Sequence, residues 1–285
     1  MEKNNRKDIA MTPSVIILTW NSSKYIKKCL ESIYENIKDV SFEVIVVDNG
    51  SSDGTQDILK DYSDTKPNFE AIYLTKNYGT TVPRNLAIKK SKGDLILILD
   101  SDTEIKEGAV EELIKTLKED ECAGIVAPRL LCGDDSVQPS CKKFPILTIK
   151  IFKYLPLRKV NVLGEKMELY TPQTYSKDFN DVIPVDYCIS ACWLVRRAAL
   201  DKVGLFDENI FYAPEDVDLC LRMWLKGFKV LYDPKAEVVH HTQRLSKKNL
   251  RIALLHLKGL IYYFAKYRYL FSRERIYKEI KKDLI

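Results

Sequence analysis

Residues 95–99 read Leu-Ile-Leu-Ile-Leu and run directly into Asp100-Ser101-Asp102. An apolar run without alternation fits a strand buried on both faces, and such strands belong to sheets covered by helices on each side. The segments before it repeat the theme. Ser14–Thr19, Phe42–Val47 and Phe69–Leu74 read as strands. Between them, Ser22–Ile37 carries Tyr25, Ile26, Cys29, Ile33 and Ile37 at helical spacing, with Ser22 or Ser23 as its cap. Asp53 is expected to cap a second helix through Leu59, and Pro83–Lys90 and Glu107–Leu117 read as two more. This β-α-β-α order predicts a doubly wound, mostly parallel α/β sheet, which binds ligands beyond the carboxyl ends of its strands.

The pattern loosens after Cys122, where six prolines fall between Pro128 and Pro184. Val182–Val195 reads as extended, Ala213–Leu225 as a helix, and Lys229–Tyr232 and Ala236–His240 as short strands. Leu245–Tyr269 and Arg273–Leu284 read as two helices in which Lys and Arg far outnumber Glu274, Glu279 and Asp283. The expected parse is a polar segment 1–12, an α/β domain 13–244 and basic amphipathic helices 245–285.

Of the 285 residues, 46% are apolar, enough for a substantial core, and the formal charge of +5 does not imply a nucleic-acid partner. The N-terminus lacks the apolar stretch of a secretory signal. Ile252–Phe271, the most apolar long segment, is broken by His256, Lys258, Lys266 and Arg268. Seven cysteines without close pairing argue against a disulfide framework and for a reducing, cytoplasmic setting. Cys122, Cys188, Cys192 and Cys220 are expected to be buried thiols.

Asn21, Asp48 and Asp100 each stand at the end of a predicted strand. Asp100 and Asp102, two residues apart, point the same way if the strand continues, and a divalent cation such as Mg²⁺ or Mn²⁺ relieves their repulsion. Asp48, beside the Gly-rich turn Asn49–Thr55, can accept a hydrogen bond from an imide N–H of the kind uracil and thymine carry. Asn77-Tyr78-Gly79 and Arg84 supply polar groups suited to a sugar or diphosphate. Glu215, Asp216 and Asp218 form a second acidic cluster behind Phe211 and Tyr212, a setting that raises a carboxylate's basicity. Arg222 can pair with Asp218 at i+4. His240-His241 ends a strand and offers imidazole for a metal, while Arg244 and Lys248 can hold a diphosphate.

With these motifs in order, the chain resembles the family-2 inverting glycosyltransferases of the GT-A fold, in particular bacterial rhamnosyltransferase-like members. The resemblance spans about residues 13–251. Its motifs are Val-Ile-Ile-Leu-Thr-Trp-Asn (15–21), Val-Val-Asp-Asn-Gly-Ser-Ser-Asp-Gly-Thr (46–55), Asn-Tyr-Gly…Asn (77–85) and Leu-Asp-Ser-Asp-Thr (99–103). Gln-Pro-Ser-Cys-Lys-Lys-Phe-Pro (138–145), Gly-Leu-Phe-Asp-Glu…Glu-Asp-Val-Asp-Leu-Cys-Leu-Arg (204–222) and His240 complete the series. The resemblance implies that Asp48, with Thr19 and Asn21 nearby, binds the donor's pyrimidine. It implies that Asp100, Asp102 and His240 hold Mn²⁺ or Mg²⁺ against the diphosphate, His241 being the weaker choice. Asp216 is then the general base, supported by Glu215, and a sugar passes with inversion from a dTDP- or UDP-sugar to a glycan hydroxyl in cell-surface polysaccharide or glycoconjugate synthesis.

Three spellings depart from the rhamnosyl-type pattern: Asp-Ser-Asp-Thr at 100–103, Ser190-Ala191, and Thr-Thr-Val-Pro-Arg after Gly79. They leave rhamnose, glucose, galactose and N-acetylhexosamine all open as donor sugars. Two other classes compete. A nucleotidyltransferase would carry a Gly-rich basic loop where Thr19–Ser23 stands, and a non-catalytic sugar-binding module needs no second acidic cluster. The C-terminal helices have two readings: contact with the inner face of the plasma membrane near a lipid-linked acceptor, or packing on the α/β domain or in a homodimer.

Overall fold

The computed structural model describes residues 12–154, 158–242 and 250–283. Its first half follows the expected alternation: β1 (Pro13–Thr19), α1 (Ile26–Asn36), β2 (Glu43–Asp48), α2 (Thr55–Thr65), β3 (Phe69–Tyr73), α3 (Thr81–Lys90) and β4 (Leu95–Asp100). Then come β5 (Thr103–Ile105), α4 (Ala109–Glu119), β6 (Ala123–Leu131), β7 (Val137–Gln138), β8 (Cys141–Lys142), α5 (Leu147–Tyr154) and α6 (Arg158–Glu168). The remainder is β9 (Ile183–Pro184), β10 (Tyr187–Cys188), β11 (Cys192–Arg196), α7 (Arg197–Val203), α8 (Glu215–Trp224), β12 (Lys229–His240), α9 (Leu250–Tyr267) and α10 (Glu274–Asp283).

The main sheet runs β3-β2-β1-β4-β11-β6-β12-β5. The first four strands are parallel; β11 enters antiparallel between β4 and β6, and β12 lies parallel to β6. One apolar cluster fills each face of the sheet. Leu95 to Leu99 are completely buried, as their unbroken apolar pattern requires.

Several boundaries differ from expectation. The first helix starts at Ile26 with Tyr25 as cap; Ser22 makes a preceding turn through its carbonyl, and neither serine caps the helix with its side chain. Asp53 does support the start of α2, accepting bonds from the Thr55 N–H and hydroxyl, although Gly54 occupies the cap position. The two short strands predicted at 229–240 are one strand, β12, with a register shift between Asp233 and Glu237. The nine-residue buried strand β6 and the helices α5 and α6 lie where the sequence reads as irregular. Cys122 is exposed at the turn before β6, while Cys188, Cys192 and Cys220 are buried; all seven cysteines are free thiols.

The C-terminal helices pack on the α/β domain. Leu260, Tyr263, Phe264, Tyr269, Ile276 and Ile280 belong to one of the two core clusters. Asp218, fully buried, accepts hydrogen bonds from Arg222, Lys266 and Tyr267, so the expected i+4 pair is joined by two groups from α9. No helix among the described residues is long and apolar enough to cross a membrane.

The closest approach is at Gly259, where an added Cβ would lie 2.0 Å from the Ala213 carbonyl oxygen. In an open helix Gly→Ala stabilises by about 1 kcal/mol. Here Gly259→Ala is expected to destabilise by about 1–3 kcal/mol through overpacking, read from the urea midpoint; a gain in stability would refute the contact.

Candidate functional site

The strand registers bring Thr19, Asp48 and Asp100 to one edge of the sheet: Thr19 lies opposite Asp48, and Leu18 opposite Asp100. Beside them is a cavity of about 270 Å³ lined by Trp20, Asn49, Asn77, Asp100, Phe211 and Tyr212 among others.

Asp48 is completely buried. Its Oδ2 accepts bonds from the Ser51 N–H (3.0 Å) and the Gln56 amide (2.7 Å). Its Oδ1 and the Thr19 hydroxyl are buried without a hydrogen-bond partner among the described residues. Unsatisfied buried oxygens are rare, and two on facing residues at strand ends mark a place built for a polar ligand. Asn21 is exposed at φ 49°; its Oδ1 accepts from the Ser52 N–H and its N–H donates to Ser51 Oγ, tying the two strand-end turns together. Asn77 Oδ1 accepts from Asn49 and from the Gly79 N–H. Asn49, to which the sequence assigns no role, also receives the Tyr78 N–H and so fixes the whole turn.

Asp100, Asp102 and His240 present ligand atoms within 4.8 Å of one another. His240 arrives at the end of β12, paired with Thr103 of β5. Its Nδ1 lies 3.0 Å from Gln138 Oε1 and its Nε2 faces the acids, 3.5 Å from Asp102 Oδ1; with the proton on Nδ1, Nε2 is free to serve as a ligand. Burial, with Asp102 beside it, raises the Asp100 pKa against the pull of Arg84. Burial alone would lower that of His240, but the two carboxylates hold it above its usual value. Two carboxylates that repel each other, with one imidazole beside them, fit a divalent cation. His241 points elsewhere: its Nε2 is 2.6 Å from Glu104 Oε1 and its ring stacks on Tyr25.

Arg84, only 2% exposed, links this cluster to the second acidic pair. Its Nη2 donates to Asp100 Oδ1 at 2.7 Å, and its Nη1 to Glu215 Oε1 at 3.1 Å and to Ser190 Oγ at 2.9 Å. The guanidinium therefore reaches the site through the carboxylates. Burial and the adjacent Asp216 push the Glu215 pKa up to about 8. Burial also raises Asp216, whose Oδ1 accepts the Val217 N–H, while Lys142, Lys150 and Arg84 pull it back. A carboxylate of raised pKa is suited to proton abstraction.

The three unusual spellings have structural partners. Ser190 Oγ joins the Arg84–Glu215 bridge, and Ser101 Oγ meets Ser22 Oγ at 2.8 Å. The Thr80 and Thr81 hydroxyls donate to the carbonyls of Tyr212 and Ile210, fastening the start of α3 to the loop before Glu215. Gln138 and Ser190 complete the site, although the sequence assigns neither a role of its own. Arg244 and Lys248 lie outside the described residues.

Residues 14–204 match the family model "Glycosyl transferase family 2". The chain is 29% identical over 244 residues to N-acetylglucosaminyl-diphospho-decaprenol L-rhamnosyltransferase of Mycobacterium tuberculosis, covering 80% of this chain and 75% of that one. It is 27% identical to the rhamnosyltransferase WbbL of Escherichia coli over 273 residues, 91% of this chain and 95% of that one. Among solved structures, GalNAc-T7 with UDP, GalNAc and Mn²⁺ is similar at TM-score 0.64 and 16% identity, covering 82% of this chain and 44% of that one. Staphylococcus aureus TarS 1–349 with UDP-GlcNAc is similar at TM-score 0.60 and 21% identity, covering 96% and 72%. The parallel sheet with its acidic strand ends thus has the GT-A architecture, and the chain belongs to glycosyltransferase family 2, as an enzyme of the rhamnosyltransferase-like subgroup.

Proposed function

We propose that this enzyme moves a sugar, with inversion, from a pyrimidine nucleoside-diphosphate donor to a hydroxyl of a glycan acceptor in cell-surface polysaccharide or glycoconjugate synthesis. The observation that carries the donor reading is the unsatisfied Asp48 Oδ1 buried beside the Thr19 hydroxyl. Asp48 Oδ1 accepts the imide N–H of uracil or thymine, while Asn21 and Asn77 shape the turns around the nucleotide. Arg84 acts through Asp100, and Arg244 and Lys248 remain assigned to the diphosphate. Rhamnose is the favoured sugar, given the two relatives named for rhamnosyl transfer. One of those names describes an acceptor on a diphospho-decaprenol carrier, which supports a lipid-linked acceptor here and a place of work at the inner face of the plasma membrane.

Asp100, Asp102 and His240 would hold Mn²⁺ or Mg²⁺. When bound, that ion supplies positive charge to the diphosphate leaving group. Asp216 accepts the acceptor's hydroxyl proton as its oxygen attacks the anomeric carbon. Glu215, tied to Arg84 and Ser190, fixes the start of the helix that carries Asp216. A single displacement inverts the anomeric centre.

Asp216→Asn is expected to lower kcat roughly 10²–10⁴-fold while donor binding, by calorimetry, stays near wild type. Because burial raises the Asp216 pKa, its ionised, proton-accepting form is lost as pH falls through a value above the usual carboxylate range. The wild-type kcat should therefore rise with pH along a limb above about pH 4, and Asp216→Asn should abolish that limb. Asp48→Ala is expected to weaken donor binding about 10- to 100-fold with little change in kcat. Gln138→Ala, which frees the His240 ring, should weaken Mn²⁺ binding roughly 10–100-fold by titration calorimetry. An unchanged affinity would remove Gln138 from the site.

A further inference from the structure

Between α5 and α9 lies an open groove of about 860 Å³, lined by Leu147, Ile151, Leu254, Leu257, Ile261 and Leu270 with other apolar residues. Leu254, Leu257 and Ile261 recur at i, i+3 and i+7, so they form one face of α9. They are 58%, 53% and 63% exposed, and Phe271 just beyond the helix is 64% exposed. Leu260 and Phe264, buried at the base of the same groove, and Tyr263 hold the helix on the domain. The outward apolar row is therefore not needed to attach α9. A continuous apolar surface of this kind marks an interaction site.

The charges around it select the partner. The ionisable residues lining the groove are Lys150 and Arg268, and no acid lines it among the described residues. Arg275, which also pairs with Glu279 at 3.4 Å, donates to the Arg268 carbonyl, so a further cation sits at that end, and Lys258 is exposed on α9. A symmetric dimer through this face would set the basic rim against its own copy. The polar residues 1–11 offer little apolar surface to fill the groove. An anionic lipid surface supplies both what the groove lacks, hydrocarbon for the apolar row and phosphate for the rim.

We infer that the α5–α9 face is a membrane-docking surface, with acyl chains of an anionic leaflet in the groove and lipid phosphates against Lys258, Arg268 and Arg275. The same helix turns Ile252 and Leu255 toward the site cavity, and Lys150 at the groove wall acts electrostatically on Asp216. Docking thereby places the helix that borders the site cavity at the lipid boundary. This surface is independent of the donor chemistry.

The test is flotation of the full chain with vesicles of phosphatidylcholine and phosphatidylglycerol in equal parts, alongside donor hydrolysis in solution. Leu257→Gln/Ile261→Gln changes only exposed side chains. It is expected to reduce vesicle binding at least about tenfold and leave donor hydrolysis and the unfolding midpoint near wild type. Lys258→Gln/Arg268→Gln should weaken binding to these vesicles and remove its salt dependence. Wild-type protein that floats no better than the apolar variant overturns the proposal. So does a dimer, seen by light scattering, that the apolar variant abolishes while neither protein floats. Hydrolysis reports on the proposed activity and flotation on the docking face, so either can fail alone.

Discussion

One buried guanidinium organises this molecule. Removing a cation from water costs several kcal/mol, and that cost is recovered only where carboxylates meet it at hydrogen-bond distance. Arg84 is met on two sides, by Asp100 at the end of β4 and by Glu215 at the start of α8. Those carboxylates come from opposite halves of the chain. The planar fork of arginine suits this task, since it offers two amino groups in fixed relation, where a lysine would present a single point charge. The separation between the acidic cluster at Asp100 and the acid pair at 215–216 is set by the width of that one side chain.

The rest of the site is arranged around this strut. The parallel strands deliver Thr19, Asp48 and Asp100, and the mixed half of the sheet delivers His240 and the loop that precedes Glu215. Hydroxyls of Ser190, Thr80 and Thr81 tie the two halves together. The spellings that depart from the family's rhamnosyl pattern are thus tied into this framework, and Thr80, Asp100 and Ser101 also line the cavity.

The parallel half was legible because β1, β2 and β4 each centre on an unbroken apolar run and α1 and α4 have a clear period. The strand β6 was not: Gly124, Pro128 and Arg129 interrupt Ala123–Leu131, and only its position between β11 and β12 makes it a strand. The helices α5 and α6 follow the same proline-rich stretch. In the site, the acids and His240 announced themselves at element ends, and the i+4 pairing of Asp218 with Arg222 was readable from spacing. Arg84 was visible as a cation, but its burial between two carboxylates depends on contacts 16 and 131 residues away along the chain. Gln138 shows the same limit. An amide three residues before a cysteine says nothing of the imidazole it orients 102 residues later.

The contact between Gly259 and Ala213 has a consequence for how the enzyme is made. A nascent chain that has completed its sheet still lacks the helix that seats residues 213–218, and Asp218 then has only Arg222 of its three partners. The loop bearing the acid pair is therefore the last part of the site to be built. Synthesis itself separates an early, sheet-borne half of the site from a working enzyme.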